Sequence, residues 1–307
     1  MSQKVLSIKN VAEIIEKHNE LETDTIINTN LSESTEVIRR PFYEFDNQFK
    51  KQSNWSDSLN SVFYDSDFKT HPLELKEHSI VIEYIKGYFD TQGVGCQLFI
   101  CDFGCSTGYM LSKIENELHE PILIGVDIVD SSLVMLHNNK PEYLLFKFDI
   151  TKIPFPDNFL DCIICLNVLE HIEDDIKALS EFNRVLKPNG IACIAVPYGA
   201  KLYDYYDESV LHIRRYGKNE LVSKAQSVGF SVVKRRFLNS FMYLPFALKK
   251  KINRVIHNKA KDKFDRMQSD VELSCNMFMK VLFNIDNKLS DLIKLPYGIR
   301  EIVLLRK

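Results

Sequence analysis

Two glycines four positions apart follow an acidic residue at the end of an apolar run, in the sequence LFICDFGCSTG of residues 98–108. Glycine has no Cβ, so Gly104 and Gly108 let the backbone take positive φ and approach a ligand without a steric penalty. Asp102 stands at the carboxyl end of the predicted strand, where open α/β sheets bind ligands. The pattern predicts a strand–turn–helix that cradles a nucleotide. The other candidate ligand-binding residues of this turn are Cys105, Ser106 and Tyr109.

A second acidic residue, Asp127, ends the next apolar run, IGVDI, nineteen residues after Gly108. A carboxylate at this position can accept both hydrogen bonds from a ribose diol, which an apolar side chain cannot do. An alternative role is to cap the helix that starts near Ser131, although Asp130 is better placed for that role. We interpret Asp127 as a ribose ligand.

The spacing of the glycine turn distinguishes between cofactors. A dinucleotide fingerprint reads G-x-G-x-x-G, whereas this chain reads D-x-G-x-S-x-G, with Ser106 at the middle glycine position. In this pattern the chain resembles the class I S-adenosylmethionine-dependent methyltransferases, whose first motif is commonly D-x-G-x-G-x-G. The resemblance covers roughly residues 75–240 and the closing strand. It implies S-adenosyl-L-methionine as the cofactor and S-adenosyl-L-homocysteine as the product.

The same resemblance gives expected roles to residues farther along the chain. It implies that Asp149 accepts a hydrogen bond from the adenine amino group, with Ile128 and Ile150 as apolar walls. The alternative for Asp149 is a solvated acid at a strand end. The run KIPFPDNFLDCIICLNVLEHI matches the pattern of the family closely. It implies that Asn167, Val168 and His171 face the methionine half of the cofactor and the transferred methyl.

Methyl transfer from a sulfonium requires an aligned acceptor, exclusion of water and, for a hydroxyl or amine acceptor, removal of a proton. Histidine suits this last task because its pKa lies near neutrality. Two histidines compete for it. His171 follows the fourth strand and can alternatively serve only to order the pocket. His212 lies in a second motif, D-E-x-x-x-H-x-R-R-Y, over residues 207–216.

The second motif follows the VPYG sequence of the fifth strand and resembles a signature of methyltransferases that often accompany glycan and natural-product biosynthesis. Arg214 or Arg215 could bind a phosphate or carboxylate of the substrate bidentately. Alternatively, the Arg and Tyr side chains hold the loop by hydrogen bonds to Asp207 and to backbone carbonyls. No metal is expected to be needed. The candidate catalytic residues are His212, His171 and Tyr216, and the candidate substrate-binding residues are Tyr198, Arg214 and Arg215.

Alternating strands and helices must position these residues. Five short and nearly continuously apolar runs, typical of strands buried on both faces, alternate with helical stretches after Pro72. This alternation predicts a parallel sheet with right-handed crossovers, and the family resemblance adds a reversed last strand. We therefore expect an α/β fold: a seven-stranded Rossmann-like doubly wound sheet with an N-terminal extension and a helical insertion before the last strand.

The chain divides into three regions at the sequence level. Residues 1–70 are polar and acidic and predict an N-terminal extension or lid. Residues 71–238 and 297–307 predict the S-adenosylmethionine-binding domain. Residues 239–296, between the last two strands, predict a helical insertion.

A basic segment crosses the start of this insertion. Residues 234–266 carry eleven Lys or Arg against two Asp, although the whole chain has a net charge of -3. Three interpretations remain open: a helical cap whose apolar side packs over the active site, peripheral contact with an anionic membrane, and, as an unlikely partner, nucleic acid. The net charge gives no overall attraction to nucleic acid.

Composition is ordinary for a soluble globular protein, with 45% hydrophobic and 26% charged residues. No secretory signal and no apolar stretch of about 20 residues is evident, so we expect a cytoplasmic protein. A cofactor-binding scaffold without catalysis is an alternative function. An NAD-dependent oxidoreductase is disfavoured by the glycine spacing. The sequence predicts a small-molecule acceptor but determines neither its identity nor the oligomeric state.

Overall fold

The computed structural model describes residues 42–44, 71–92, 97–257 and 263–307. Most of the predicted extension or lid, residues 1–70, therefore lies outside the described residues. The described part begins with Phe42, which is buried among side chains of the first described helix and of the sheet.

One sheet organises the fold, with the spatial order β1-β4-β3-β2-β5-β6-β8-β7. Its strands are β1 (Tyr43–Glu44), β2 (Phe99–Phe103), β3 (Ile122–Val126), β4 (Leu144–Lys147), β5 (Leu160–Leu166), β6 (Leu186–Pro197), β7 (Ser231–Leu238) and β8 (Arg300–Arg306). β8 runs antiparallel to its neighbours β6 and β7, whereas the other described pairings are parallel. The predicted seven-stranded sheet with a reversed last strand is confirmed, and the two-residue β1 adds a further edge strand.

Helices cover both faces of this sheet. They are α1 (Pro72–Gln92), α2 (Tyr109–Glu117), α3 (Asp130–Asn139), α4 (Asp175–Val185), α5 (Tyr205–Ser209), α6 (Glu220–Ser227), α7 (Tyr243–His257), α8 (Lys263–Cys275) and α9 (Met277–Leu292), with short 3-10 turns at Leu169–His171 and Ala200–Leu202. Each helix that the sequence predicted between Pro72 and the last strand is present. The parallel strands and their connecting helices place the ends of β2 to β6 along one edge.

The central strands are buried on both faces, as their continuous apolar sequences predict. All five residues of β2 and all five of β3 are buried. Two separate apolar clusters pack against the two faces, and Cys162 belongs to one whereas Cys165 belongs to the other. Burial raises the pKa of both thiols above the ordinary value. The two cysteines therefore behave as small apolar groups, as the alternation of side chains along a strand predicts.

The Lys187–Gly190 segment, whose Pro-Asn-Gly sequence is typical of a turn, lies inside β6. Leu160 of β5 pairs with Leu186, but Cys162 pairs with Ile191, so the intervening residues bulge out of the ladder. Asn189 takes a positive φ of 63° there. A left-handed Asn inside a bulge allows the chain to turn and then rejoin the strand.

Hydrogen bonds hold the helical insertion together and attach it to the main domain. Asp286 of α9 accepts hydrogen bonds from the backbone N–H groups of Phe241 and Met242, at 3.2 and 3.1 Å, just before α7 begins. Asn287 Nδ2 donates to the carbonyl oxygen of Pro72 at 3.1 Å. These contacts hold α7 and α9 together and hold α9 against the start of α1.

We expect Asp286→Ala to lower the free energy of unfolding by about 1–3 kcal/mol, because it removes a buried carboxylate that accepts hydrogen bonds from two part-buried backbone N–H groups. Urea denaturation of the variant and the parent chain measures this difference. Glu272→Ala, which removes an exposed carboxylate from the same insertion, serves as the control. Equal stability of all three proteins would contradict the anchoring role of Asp286.

Candidate cofactor and acceptor cavity

A cavity of about 830 Å³ lies at the carboxyl ends of the parallel strands, between the sheet, α1 and the helical insertion. Fourteen of the residues singled out in the sequence line it. They are Asp102, Gly104, Cys105, Ser106, Tyr109, Asp127, Ile128, Asp149, Ile150, Asn167, Val168, His171, His212 and Arg215. The structure thus brings the glycine turn, the three strand-end acids and both candidate bases to one cavity.

The two glycines of the turn allow close contact with different side chains. Gly104 has a φ of 81°, and a Cβ there would lie only 2.3 Å from Val168 Cγ2. Gly108 does not line the cavity. Its φ is 75°, and a Cβ would lie 2.3 Å from Leu136 Cδ1 of α3. The missing Cβ at Gly104 therefore allows Val168 to pack against the turn at the cavity, whereas the missing Cβ at Gly108 allows α2 to pack closely on α3.

Backbone amides of two loops hold the carboxylate of Asp127. Ser106 N donates to Oδ2 at 2.8 Å and Val129 N donates to Oδ1 at 3.0 Å. Asp127 thereby ties the glycine turn to the end of β3. Asp130 does not cap the following helix: Val129 occupies the N-cap position, and Asp130 pairs with Lys147 at 2.7 Å.

Asp102 is buried between the glycine turn and β5. Burial, and then the nearby charge of Asp127, raise the pKa of Asp102 to about 8. Asp149 lies at the cavity with Oδ1 accepting from Thr151 N at 2.8 Å. Three acids at the ends of three adjacent strands thus give one half of the cavity its polar character.

A charged cluster forms the wall on the α1 side, and the sequence analysis missed it. Arg300 at the start of β8 contacts Glu74 at 2.6 Å and Glu77 at 3.0 Å. Asn167 has a positive φ of 57° and donates from Nδ2 to Glu77 Oε1 at 2.9 Å. Burial raises the pKa of Glu77 to about 7, against the opposing effect of Arg300. The spacing of Glu74 and Glu77 on a helix predicts that they share a face, but nothing local indicates Arg300 as their partner.

The opposite half of the cavity contains His212. Its Nδ1 lies 3.0 Å from Asp207 Oδ1, and its Nε2 lies 3.8 Å from Glu170 Oε1. Burial alone would raise the pKa of Asp207, but the hydrogen bond from His212 and the charges of Arg215 and Lys250 hold it below its ordinary value. Burial lowers the pKa of His212, opposed by Asp207. The contact with Asp207 places a proton on Nδ1, and the lowered pKa favours the neutral form of the ring, in which Nε2 carries the lone pair.

His171 is packed against His212, with ring centroids 4.8 Å apart. Its Nδ1 lies 3.1 Å from the carbonyl oxygen of Leu211, which can only accept, so Nδ1 carries the proton. Burial, and then the charge of His212, lower the pKa of His171 to about 3. These contacts hold the loop before His212, which is the ordering role considered for His171.

Glu170 is a cavity residue that the sequence analysis did not single out. It is fully buried, and neither carboxyl oxygen has a hydrogen-bond partner among the described residues. Burial raises its pKa to about 8. The only local signal is its position in the LEH sequence, beside a candidate histidine.

Besides Gly108, three of the predicted residues do not line the cavity. Tyr216 is fully buried and donates from its hydroxyl to Asp175 Oδ2 at 2.7 Å. Arg214 contacts the same carboxylate at 2.7 Å and the carbonyl oxygen of Glu173 at 2.8 Å. Tyr198 packs edge-on against an aromatic ring of β7. The structure therefore places Tyr216, Arg214 and Tyr198 in the support of the loop and not at the cavity surface.

Arg215 reaches the cavity, but protein groups already bind its guanidinium. Its Nε donates to Asp207 at 2.7 Å and its Nη1 donates to the carbonyl oxygen of Tyr198 at 3.0 Å. This is the loop-holding arrangement weighed in the sequence analysis.

The insertion covers the cavity, and part of its basic segment forms ion pairs inside the protein. Phe246 of α7 lines the cavity. Lys250 is buried against Asp204 and Asp207, whereas Leu244 and Leu248 are 68% and 60% exposed. Within the described residues no helix is long and apolar enough to cross a membrane. Contact of residues 234–266 with an anionic membrane stays a prediction, since several of its side chains lie outside the described residues.

Residues 101–194 match the model of a family described as a methyltransferase domain. A "Probable S-adenosylmethionine-dependent methyltransferase" of Mycolicibacterium smegmatis is 24% identical over 135 residues, which cover 43% of this chain and 52% of that protein. The ubiquinone/menaquinone biosynthesis C-methyltransferase of Serratia proteamaculans is 27% identical over 174 residues, or 53% of this chain and 68% of that protein. The first of these matches spans only about half the length of the relative. Together they support the class I methyltransferase family that the motifs resemble.

Solved structures agree on the fold. The cyclase SpnF superposes with a TM-score of 0.50 and 16% identity, over 74% of this chain and 79% of SpnF. A protein of Galdieria sulphuraria provisionally described as a sarcosine dimethylglycine methyltransferase gives a TM-score of 0.51 and 16% identity, over 74% and 85% of the two chains. At this identity the likeness concerns architecture alone.

The buried acids predict a pH dependence of stability. The pKa of Asp102 rises from 3.8, and that of Glu170 from 4.5, to about 8 in each case. Between these values the folded chain holds protons that the unfolded chain has released, so the free energy of unfolding falls as pH rises through this window. Denaturant titrations at several pH values measure the decline.

We expect Asp102→Asn and Glu170→Gln each to make that decline shallower, because an amide does not titrate. Glu173→Gln, which changes an exposed side chain, should leave it as in the parent chain. A decline of the same slope in all four proteins would show that the two acids are ionised in the folded state.

Proposed function

We propose that the protein is an S-adenosylmethionine-dependent methyltransferase that transfers a methyl group to oxygen or nitrogen of a small-molecule acceptor. The observation that carries this proposal is the meeting, in one cavity, of three strand-end acids around a glycine turn with a histidine–carboxylate pair on the opposite side. The family model and the methyltransferase relatives support the same function. The second motif favours a sugar, a lipid-linked glycan or a natural-product intermediate as the acceptor.

The residues on the sheet side of the cavity fit the chemical groups of this cofactor. Asp127 offers carboxylate oxygens suited to a ribose diol, and Ile128 and Ile150 offer apolar walls for an adenine ring. Ser106 Oγ is buried with no hydrogen-bond partner among the described residues, which is costly unless a ligand supplies one. Asp102, whose pKa burial raises to about 8, would ionise in response to the sulfonium and ammonium charges of this cofactor. When bound, S-adenosylmethionine supplies a methyl group that is already activated for transfer.

On the acceptor side, His212 would remove the proton of the attacking group. Asp207 fixes the tautomer, because its carboxylate accepts the Nδ1 proton and leaves the Nε2 lone pair towards the cavity. A carboxylate in this position also stabilises the imidazolium that forms after proton transfer. His171 would order this pair through its contact with Leu211. The insertion, through residues such as Phe246, would exclude water.

Asp127→Ala should abolish binding of S-adenosylhomocysteine, because the ribose loses its acceptor and the glycine turn loses a hydrogen bond. Isothermal titration calorimetry gives the dissociation constant directly. Asp90→Ala serves as the control, since Asp90 is exposed and does not line the cavity. An affinity within about threefold of the parent value would remove Asp127 from the proposed cofactor site.

His212→Ala should lower the rate of S-adenosylhomocysteine release by about 100-fold or more, as expected for loss of a general base, while affinity for the cofactor product is kept. Release would be followed with a metabolite extract as the source of acceptor. His119→Ala, an exposed histidine, should behave as the parent chain. A parallel loss of rate and of folding stability would instead favour a structural role for His212.

A further inference from the structure

The basic side chains of the cavity are already paired. Within the described ranges, each Lys or Arg that lines the cavity contacts a carboxylate of the protein. The pairs are Lys147–Asp130, Lys249–Asp270, Lys250–Asp204, Lys250–Asp207, Arg215–Asp207, Arg300–Glu74 and Arg300–Glu77. An anionic acceptor would therefore have to compete with a protein carboxylate for its counter-charge, and the side chains of Lys250, Arg215 and Arg300 are no more than 15% exposed. Breaking a buried pair leaves an uncompensated charge and costs about 3–5 kcal/mol.

In contrast to these basic side chains, the carboxyl group of Glu170 is not paired within the described part of the chain. Both of its oxygens lack a hydrogen-bond partner among the described residues, although the side chain is fully buried and lines the cavity. A buried polar group left without a partner costs about 1–3 kcal/mol, so native proteins rarely keep one without a role. The position of this carboxyl indicates that a ligand supplies its partner.

The distance between Glu170 and His212 limits what that partner can be. Glu170 Oε1 and His212 Nε2 lie 3.8 Å apart, which is too long for a direct hydrogen bond. One donor atom placed between them can lie about 2.9 Å from each. A primary amine carries two N–H groups and can donate to both atoms while its lone pair points elsewhere. A hydroxyl has one proton and can donate to only one of them.

We propose that the acceptor is an amine whose nitrogen binds between Glu170 and His212. This inference rests on the proposed methyl transfer and narrows it to nitrogen. The nitrogen lone pair forms the new bond to the methyl carbon as the carbon–sulfur bond breaks, and the electrons of that bond stay on sulfur. The proton that nitrogen loses passes to His212 Nε2. Glu170 gives its own proton to the amine on binding, so it then faces the resulting imidazolium as a carboxylate and offsets its charge.

The rest of the acceptor lies against apolar side chains of the insertion. Met242 and Phe246 line the cavity near α7, and Val271, Met279 and Phe283 line it from α8 and α9. Burial of an apolar group against such a wall contributes about 25 cal/mol per Å². The amine is therefore expected to be attached to an apolar body.

Three probes that share a benzyl group test this inference: 2-phenylethylamine, 2-phenylethanol and phenylacetate. Each would be titrated by calorimetry into the intact protein saturated with S-adenosylhomocysteine. The amine should bind at least about tenfold more tightly than the alcohol, the difference expected for one hydrogen bond to a charged group. Phenylacetate should bind more weakly than either. Glu170→Gln should remove the preference for the amine, whereas Glu173→Gln on the surface should keep it.

The outcomes separate this inference from the proposed function. Equal binding of amine and alcohol, tightest binding of phenylacetate, failure of all three probes, or an unchanged preference in Glu170→Gln would each overturn the amine assignment while S-adenosylhomocysteine still binds. Absence of S-adenosylhomocysteine binding by the parent chain would instead overturn the proposed function. Retained S-adenosylhomocysteine affinity in Glu170→Gln shows that this variant is folded.

Discussion

The buried carboxylate of Asp207 is the interaction on which the acceptor side of the cavity depends. It accepts hydrogen bonds from His212, Arg215 and Lys250, and it also accepts one from the backbone N–H of Asp204 within the capping box of α5. A side chain with no exposed surface thus joins the loop after β6, the catalytic candidate and the first helix of the insertion. Removal of any partner would leave charge uncompensated in a low-dielectric interior.

The orientation of His212 therefore depends on the position of the helical insertion. Lys250 comes from α7, which the contacts of Asp286 attach to α9, and α9 is attached in turn to α1 through Asn287. A shift of the insertion would therefore change the charge around Asp207 and the orientation of His212. The same helices supply the apolar wall of the cavity, so the shape of the acceptor space and the position of the proton acceptor depend on one set of contacts.

The predictable part of the site lies at strand ends. Asp102, Asp127 and Asp149 follow apolar runs at regular intervals, and parallel strands bring their carboxyl ends to one edge, so their meeting follows from local pattern alone. Arg300 and Glu77 could not be paired in this way, because 223 positions separate them. The burial of Glu170 and of Tyr216 could not be predicted from the sequence either, since residues near a strand end can face either the cavity or the core.

Whereas the reversed last strand was implied by the family resemblance, the sequence by itself determined the parallel sheet, the helical insertion and the identity of the turn that faces the cavity. It did so because apolar periodicity and glycine spacing act over a few residues, where the chain has little conformational choice. The tertiary structure decided which charged groups are paired and which are not. Arg214 and Arg215 bind protein carboxylates and carbonyls, while Glu170 has no described partner, because charge pairing depends on which distant segments pack together and on the water that their packing excludes.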